Sequence, residues 1–549
     1  MTKRKIFISY AWEDKAVVRR LEDELLTTDA EVWIDHSHIR GGHNLTMCIN
    51  DALEWCNTLL LIWSKAARRS RWVKIEWTSA NSIPKPIIPC LLDETKLPPI
   101  LLGTVYVDFR NFDQGLEQLL RALKLFTINP FIHGRAVKPP EFVGRKQELK
   151  DLFSDLIEGR STAITGQHRI GKTSLLYNVL NEKTRQERLS GRFDRFWFNY
   201  LDAQTLHDVR SISTFWERAL TPLERSSQTG QPKRLQALTK AYQIAKVNKF
   251  NSQALDQLFV AFRANGLRYV LLLDEFDDLL MNQALNNAKF YGGLSSWASC
   301  AENDSGLVLV IAARHDLKYL REQTRAINPG MSHFNVFNEY KLGAFEVNEI
   351  SALLDKGRSR FNQRDRNFVR EISGGHPYIA QKAAALLWDA HENGLRDTAR
   401  YEAAGQRLCR ETENHYASTW LFWPKELRFA TAIVALTQIP RLVGKPSSLA
   451  GRFVDELAVY NPKLEALMKA SGMLAQGDNG EWSIAQNAFL WWLANEFWGQ
   501  GDWLKAQKMD GLFSRQKQRH WMKIEKDVRT AIGKGAVTLI EAAAKKHGE

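Results

Sequence analysis

Short apolar runs alternate with amphipathic stretches through the first 126 positions. Lys5 to Ser9, Ala30 to Ile34, Thr58 to Trp63 and Ile87 to Leu92 have the length and β-branched or aromatic content of buried strands. Between them, Lys15 to Leu26, Asn44 to Trp55 and Trp72 to Ala80 carry apolar residues at helical spacing. Strands alternating with helices predict a parallel sheet covered on both faces. The connector that follows, TINPFIHGRAVKPPEF from Thr127 to Phe142, holds three prolines. Each removes a backbone donor and blocks helix, so a domain boundary falls there, with 127–141 as linker.

A second α/β pattern covers 142–340, with strands expected at Ser161 to Thr165, Arg195 to Asp202, Tyr269 to Asp274 and Leu307 to Ala312. The pattern then turns helical, and 341–410 is expected to be a helical lid. Residues 411–500 are expected to form a winged-helix domain, because from 425 the order reads helix, helix, helix, hairpin, helix. The hairpin is Met473 to Ile484, whose Gly477-Asp478-Asn479-Gly480 turn supplies positive-φ residues for a tight reversal. In the tail, 501–549, Trp521, Ile524, Val528 and Ile532 form one helical stripe that Gly533-Lys534-Gly535 ends before a second short helix. The stripe reads first as packing against the winged helix, and second as a docking element for a partner.

Composition narrows the class. With 549 residues, 44% hydrophobic and 25% charged, the chain has the balance of an ordinary soluble protein of three or four domains. The 18 tryptophans sit mostly in apolar contexts and read as core. The five cysteines are scattered with no CxxC pair, which argues against zinc and disulfides and suits a reducing cytoplasm. No apolar run reaches the length of a membrane span, so a cytoplasmic location is expected. The net charge of +13 invites a nucleic-acid reading. Yet residues 1–126 carry 17 basic and 16 acidic side chains, and only the tail, with 11 and 6 in 501–549, is dense in positive charge. Charge spread in this way is a solvated surface, and nucleic acid is not the expected partner.

Gly166 to Thr173 reads GQHRIGKT between a strand and a helix, and the strand ending at Asp274 opens the run LLLDEFDD. Backbone N–H groups and a helix N-terminus then surround a polyphosphate, with Gly166, Arg169, Gly171 and Ser174 in the cradle. Lys172 is expected on the β- and γ-phosphates and Thr173 on Mg²⁺. Asp274 would hold that Mg²⁺ through water, and Glu275 would polarise an attacking water. Arg314 ends the strand LVLVIAAR, where a cation can sense the γ-phosphate. ATP is the natural ligand; binding follows from these residues more directly than hydrolysis.

Residues from Phe142 to about 500 resemble the STAND class, signal-transduction ATPases with numerous domains. The residues carrying the likeness are Phe142-Val143-Gly144-Arg145 with Glu148, the phosphate loop, LLLDEFDD and Gly375-His376-Pro377. The resemblance implies that Pro377 touches the adenine and His376 the phosphates. It also implies a closed ADP form that opens on a trigger, exchanges to ATP and forms a homo-oligomer. That family usually carries a long C-terminal repeat array as sensor, whereas about fifty residues follow the expected winged helix in this sequence, so the resemblance leaves the trigger open.

Residues 4–126 resemble a TIR domain, which implies a flavodoxin-like fold. The match runs through Ile6-Phe7-Ile8-Ser9-Tyr10 with Asp14, Val32-Trp33-Ile34-Asp35, Ile39-Arg40-Gly41-Gly42, Ser64, Trp72-Val73-Lys74-Ile75-Glu76 and Pro86-Ile87-Ile88-Pro89. The family holds both scaffolds and enzymes that cleave NAD⁺ at the nicotinamide–ribose bond, the enzymes carrying a glutamate four residues after a tryptophan. Positions i and i+4 share a helix face, which lets Trp72 and Glu76 enter one cleft. Nicotinamide leaves a cationic pyridinium as a neutral base, so no general acid is needed; a fixed carboxylate stabilises the oxocarbenium-like ribose. The resemblance therefore implies Glu76 as catalytic, with Ser9, Tyr10, Trp12, Asp35, Arg40, Gly42 and Trp72 as NAD⁺ contacts. Ala11 and Asn44 stand where the best-known animal enzyme of the family has an arginine and an aromatic.

The expected function is an ATP-gated TIR NAD⁺ hydrolase, switched on by oligomerisation, in an intracellular antiphage sensor. The Ile39–His43 loop is expected to reshape on assembly. Two other readings stay open: a non-catalytic TIR adaptor, and a winged-helix DNA-binding regulator. The second has only Lys469 as a cation on its recognition helix, Leu464 to Ser471.

Overall fold

A computed structural model describes residues 4–28, 30–34, 45–83, 85–123, 125, 129–227, 233–298, 306–325, 334–442, 468, 471–477, 480–498, 526, 528, 530 and 535–548. The chain forms two compact units, Met1–Phe131 with Leu354–Gln363, and Ile132–Leu353 with Arg364–Glu549.

In the first unit five parallel strands, β1 (Lys5–Ser9), β2 (Glu31–Ile34), β3 (Thr58–Trp63), β4 (Ile87–Leu91) and β5 (Val107–Asp108), stand in the order β2-β1-β3-β4-β5. This is the flavodoxin-like order. Because strand side chains alternate, Ile6, Ile8, Leu60 and Ile62 build the core under one face. Phe7, Leu59, Leu61 and Trp63 build the core under the other. The helices Lys15–Leu25, Leu45–Trp55, Arg71–Ser82 and Phe112–Leu123 complete the layers.

A short distant segment is sewn into this unit. Arg360 Nε meets Glu24 Oε2 at 3.2 Å, with both side chains largely buried. Arg358 donates to the Asp23 carbonyl at 2.8 Å, and Phe361 stacks on Phe131 with centroids 5.3 Å apart.

The second unit has its own five-stranded parallel sheet. It consists of β6 (Ser161–Thr165), β7 (Phe196–Asp202), β8 (Arg268–Asp274), β9 (Leu307–Ala313) and β10 (Phe337–Lys341), in the order β10-β6-β9-β8-β7. The phosphate-loop strand β6 is therefore interior, between β10 and β9. One face is packed by an aromatic cluster that includes Phe215, Trp216, Phe259 and Phe290. The other is packed by aliphatic side chains of the helices Lys146–Glu158 and Lys172–Leu180.

Helices Pro377–Glu392, Asp397–Phe422 and Lys425–Leu442 follow, then the hairpin β11 (Leu474–Gln476) and β12 (Trp482–Ile484), then the helix Asn487–Trp498. Hairpin and flanking helices are compatible with a winged helix, while most of Leu464 to Ser471 and of the Trp521–Ile532 stripe lies outside the described residues. The short helix expected after the stripe is Ala536–Gly548; it buries Ala536, Leu539, Ile540 and Ala544. Lys546 and His547 on that helix both reach Glu371, at 2.8 and 3.0 Å. No described helix is long and apolar enough to cross a membrane.

Candidate functional site

In the first unit β1 has β2 on one side and β3 on the other, and this reversal of strand order is where open parallel sheets bind ligands at their carboxyl ends. β1 ends there at Ser9. The Ser9 hydroxyl donates to Glu76 Oε2 at 2.5 Å across 67 positions of sequence, and the two residues are 1% and 3% exposed.

Glu76 lies on the inner stripe of its helix with Val73, Trp77 and Ala80, where periodicity alone calls for an apolar side chain. Ser70 starts that helix by accepting from the Val73 N–H at 3.3 Å. A buried carboxylate is costly unless it is hydrogen-bonded, so an inward Glu held by a serine marks a place built for a charge.

Beside the pair, the Ser64 hydroxyl donates to Asp14 at 2.6 Å, and burial raises the Asp14 carboxyl above its usual range despite that bond. The other expected NAD⁺ contacts separate into three groups. Trp12 and Trp72 are on the surface, 59% and 47% exposed, with the Lys15 ammonium 4.2 Å from the Trp12 ring centroid. Tyr10 is packed into the apolar core with Ile8 and Val18. Asp35, Arg40 and Gly42 lie outside the described residues, as does the Ile39–His43 loop.

In the second unit the phosphate loop turns between β6 and the helix Lys172–Leu180. Gly166 and Gly171 hold φ of 154° and 105°, and Arg169 holds 62°. A Cβ on Gly166 would meet the Leu342 carbonyl at 2.8 Å, so only glycine fits. Lys172 Nζ is held over the loop by the carbonyls of Gly166 and Gln167 at 2.8 and 2.9 Å; burial lowers its pKa, opposed by Glu275, Asp277 and Asp274.

Asp274 accepts from the Tyr200 hydroxyl at 3.0 Å and from the Thr173 side chain, while burial raises its pKa. A hydroxyl and a carboxylate that meet at the start of the loop's helix fit a Mg²⁺ held with a nucleotide. Arg314 is bound to Glu275 at 2.8 Å and to Asp278 at 3.3 Å, and Asp277 fixes the turn by accepting from the Arg314 N–H at 2.6 Å.

A cavity of about 240 Å³ opens beside the loop, and Arg169, Gly171, Lys172, Thr173, Ser174, Glu275 and Pro377 all line it. His376 is not among the lining residues, contrary to the expected phosphate contact. It is 1% exposed, its ring centroid is 5.7 Å from that of His415, and burial holds it neutral. His415 is likewise pushed down, to about 3, by burial and by His168 and Arg169.

Several contributors escape a sequence reading. Residues 132–137 of the expected linker form one wall of the cavity. This strap is tied at both ends: Ile132 N–H donates to Gln381 Oε1 at 3.1 Å, and Val137 N–H donates to Ser174 Oγ at 2.9 Å. Arg145, 4% exposed at φ 58°, donates to the carbonyls of Gly343 and Ile170 at 2.5 and 3.4 Å, which fixes the cavity's rear. The sequence signal for Arg145 was its place in the run Phe142-Val143-Gly144-Arg145 with Glu148, which carried the resemblance but no role for the side chain.

These two sites define the class. A flavodoxin-like sheet with a buried Ser–Glu pair at its switch point, and a phosphate-loop sheet with an acidic strand end, make a TIR domain joined to an AAA-like NTPase domain. Family models match accordingly: TIR domain over residues 6–120 and AAA-like domain over residues 139–396. The chain is 32% identical over 131 residues to a protein of Methanobrevibacter olleyae named "Probable 2' cyclic ADP-D-ribose synthase TcpO". That match covers 23% of this chain and 36% of the relative, so the chain spans about a third of the relative's length. Among solved structures, the Walker-type ATPase paby2304 of Pyrococcus abyssi is similar, at 15% identity and a TM-score of 0.43 over 66% of this chain and 99% of that one. So is the STAND protein PH0952 with a tetratricopeptide repeat sensor from Pyrococcus horikoshii, at 11% identity and a TM-score of 0.25 over 76% and 50%.

Proposed function

We propose that this protein processes NAD⁺ at its TIR domain, with Glu76 as the catalytic carboxylate, under the control of ATP bound at the phosphate loop. The observation that carries the reading is the buried Ser9–Glu76 pair at the carboxyl end of β1. The nicotinamide–ribose bond breaks and its electron pair leaves with neutral nicotinamide. The positive charge that develops at the ribose C1′ faces a carboxylate whose position is already fixed, so little reorganisation accompanies the step. Water that then adds to C1′ and loses a proton gives ADP-ribose; attack by a hydroxyl of the same ligand gives a cyclic product. The name of the relative from Methanobrevibacter olleyae supports testing for the second product beside the first.

Control by ATP is supported by the strap. The chain leaves the first unit at Phe131, and from Ile132 it is the wall of the nucleotide cavity, bonded to Ser174 in the helix that follows the phosphate loop. Lys172 and Ser174 with the glycines of the loop would hold the phosphates, Thr173 and Asp274 would hold Mg²⁺, and Glu275 with Arg314 would serve the γ-phosphate. ATP then favours a homo-oligomer that concentrates TIR domains, as effective-concentration arguments require. The biological role that fits is an intracellular antiphage sensor whose trigger is a protein or ligand not yet identified. The test is full-length protein incubated with NAD⁺ and ATP·Mg, the products separated by chromatography, beside Glu76→Gln. Nicotinamide release equal in both proteins sinks the assignment, and would turn attention to the adaptor reading.

A further inference from the structure

We infer that the second unit carries a separate phosphate-binding pocket at the end of its sheet opposite the nucleotide site. β7 and β8 run parallel with Phe196 beside Arg268 at their start and Asp202 beside Asp274 at their finish. The nucleotide site is at the finish. At the start, roughly 20 Å away along strands of this length, Arg192, Arg195, Arg263 and Arg268 line a pocket of about 170 Å³ with Ile157 and the Gly266 backbone. Among the described residues no carboxylate lines it.

Two of the four arginines have a local reason to be there. Arg268 donates to the carbonyls of Leu156 (at 3.0 Å) and Ile157 at the end of the helix Lys146–Glu158, and Arg263 lies in the last turn of the helix Ser252–Ala264. Both positions suit a cation near a helix C-terminus. Arg192 and Arg195 lie in the connection between the helix Glu182–Leu189 and β7, with Asp194 between them in sequence. Arg192 precedes and Arg195 ends the turn Phe193–Arg195 that leads into β7, both are exposed, and both line the same pocket. Glu158 and Asp155, acids of the neighbouring helix, are taken by Arg160 at 2.5 and 2.8 Å.

Four arginines around one small concavity concentrate positive charge there, and an anion is the ligand that complements it. Guanidinium forks match phosphate oxygens in pairs, and Arg268 is already held in place by its carbonyl bonds. The ligand class is thus a phosphate-bearing anion, free or as part of a polynucleotide backbone. The pocket is independent of the TIR chemistry proposed above.

The test uses the full chain saturated with ADP·Mg, so that the phosphate loop is filled, and two probes: inorganic pyrophosphate by calorimetry and a labelled single-stranded oligodeoxynucleotide by fluorescence anisotropy. Wild type should bind at least one probe, and Arg192→Ser with Arg195→Ser should weaken that binding at least tenfold with an unchanged melting temperature. Pyrophosphate binding without oligonucleotide binding identifies a free anion as the source. Oligonucleotide binding that falls steeply with salt, and that pyrophosphate displaces, identifies the polynucleotide. Should wild type bind neither probe at millimolar concentration, or should the double variant bind as tightly as wild type, the pocket is not a phosphate site. If the double variant melts early, Arg263→Ser alone repeats the comparison.

Discussion

Replacing Ser9 with alanine separates two roles that the sequence alone runs together. As a ligand contact at the end of β1, Ser9 would contribute to holding NAD⁺, and its loss would raise KM. In the structure its hydroxyl points at Glu76 Oε2, 2.5 Å away, with both residues almost wholly buried. Ser9 is then a positioning residue that acts through Glu76. A hydrogen bond to a charged group is worth about 1.5–3 kcal/mol, and if all of it is expressed in the transition state kcat falls about 10- to 150-fold. KM should change by less than about twofold, because ground-state binding is untouched. Steady-state kinetics of nicotinamide release on Ser9→Ala gives the split directly, and Ser9→Thr, which keeps the hydroxyl, should recover most of kcat. A variant with unchanged kcat and a raised KM refutes the positioning role and restores Ser9 as a substrate contact.

Other expectations follow from the same geometry. Lys172→Ala removes the ammonium at the loop's centre and should abolish ATP binding measurable by calorimetry; retained micromolar binding would place the nucleotide elsewhere. Ser174→Ala breaks the tie to the Val137 N–H, an exchange of about 0.5–1.5 kcal/mol, and should speed release of a fluorescent ADP analogue about 2- to 10-fold; an unaltered rate means that the strap does not bear on the nucleotide. Arg360→Met removes the guanidinium that meets the buried Glu24 carboxylate and should lower the melting temperature of the first unit, an exchange of about 1.5–3 kcal/mol for a bond between charged groups. The exchange Glu24→Arg with Arg360→Glu should recover part of that loss in a thermal melt. Glu371 is held down to about 2, chiefly by its bond to His547 and then by Lys546. Its pKa is depressed on folding, so its contribution is complete above its ordinary value near 4.5 and is lost as pH falls through about 2. The melting-temperature gap between wild type and Glu371→Gln should therefore narrow over that window, and a gap independent of pH would argue against the ion pair.

What the sequence made legible was local. β1 to β4 and β6 to β9 show as apolar runs because both faces of a parallel sheet are covered, and the phosphate loop shows because its glycines are a backbone requirement. β5, two residues long at Val107–Asp108, is too short to show. β10 was missed: Phe337–Lys341 reads FNEYK, an edge strand of mostly half-exposed polar residues with no apolar run to betray it. The bond from Ser9 to Glu76 spans 67 positions and that from Val137 to Ser174 spans 37, and no periodicity encodes either. His376 was placed on the phosphates by resemblance, whereas it is buried against His415 with Pro377 at the cavity wall. Net charge hid the arginine pocket, since Arg192, Arg195, Arg263 and Arg268 come from two stretches about seventy positions apart and gather only where β7 and β8 begin side by side.

The central claim is that ATP at the phosphate loop governs NAD⁺ cleavage at Glu76, and one rate comparison tests it. Full-length protein with no added oligomeriser, at a concentration high enough for ATP to drive assembly, is assayed for nicotinamide release with and without ATP·Mg, beside Lys172→Ala and Glu76→Gln. The account predicts release that rises with ATP in the parent, fails to respond to ATP in Lys172→Ala, and is absent from Glu76→Gln under every condition. Release that persists in Glu76→Gln, or no release from a folded and assembled parent, would contradict it.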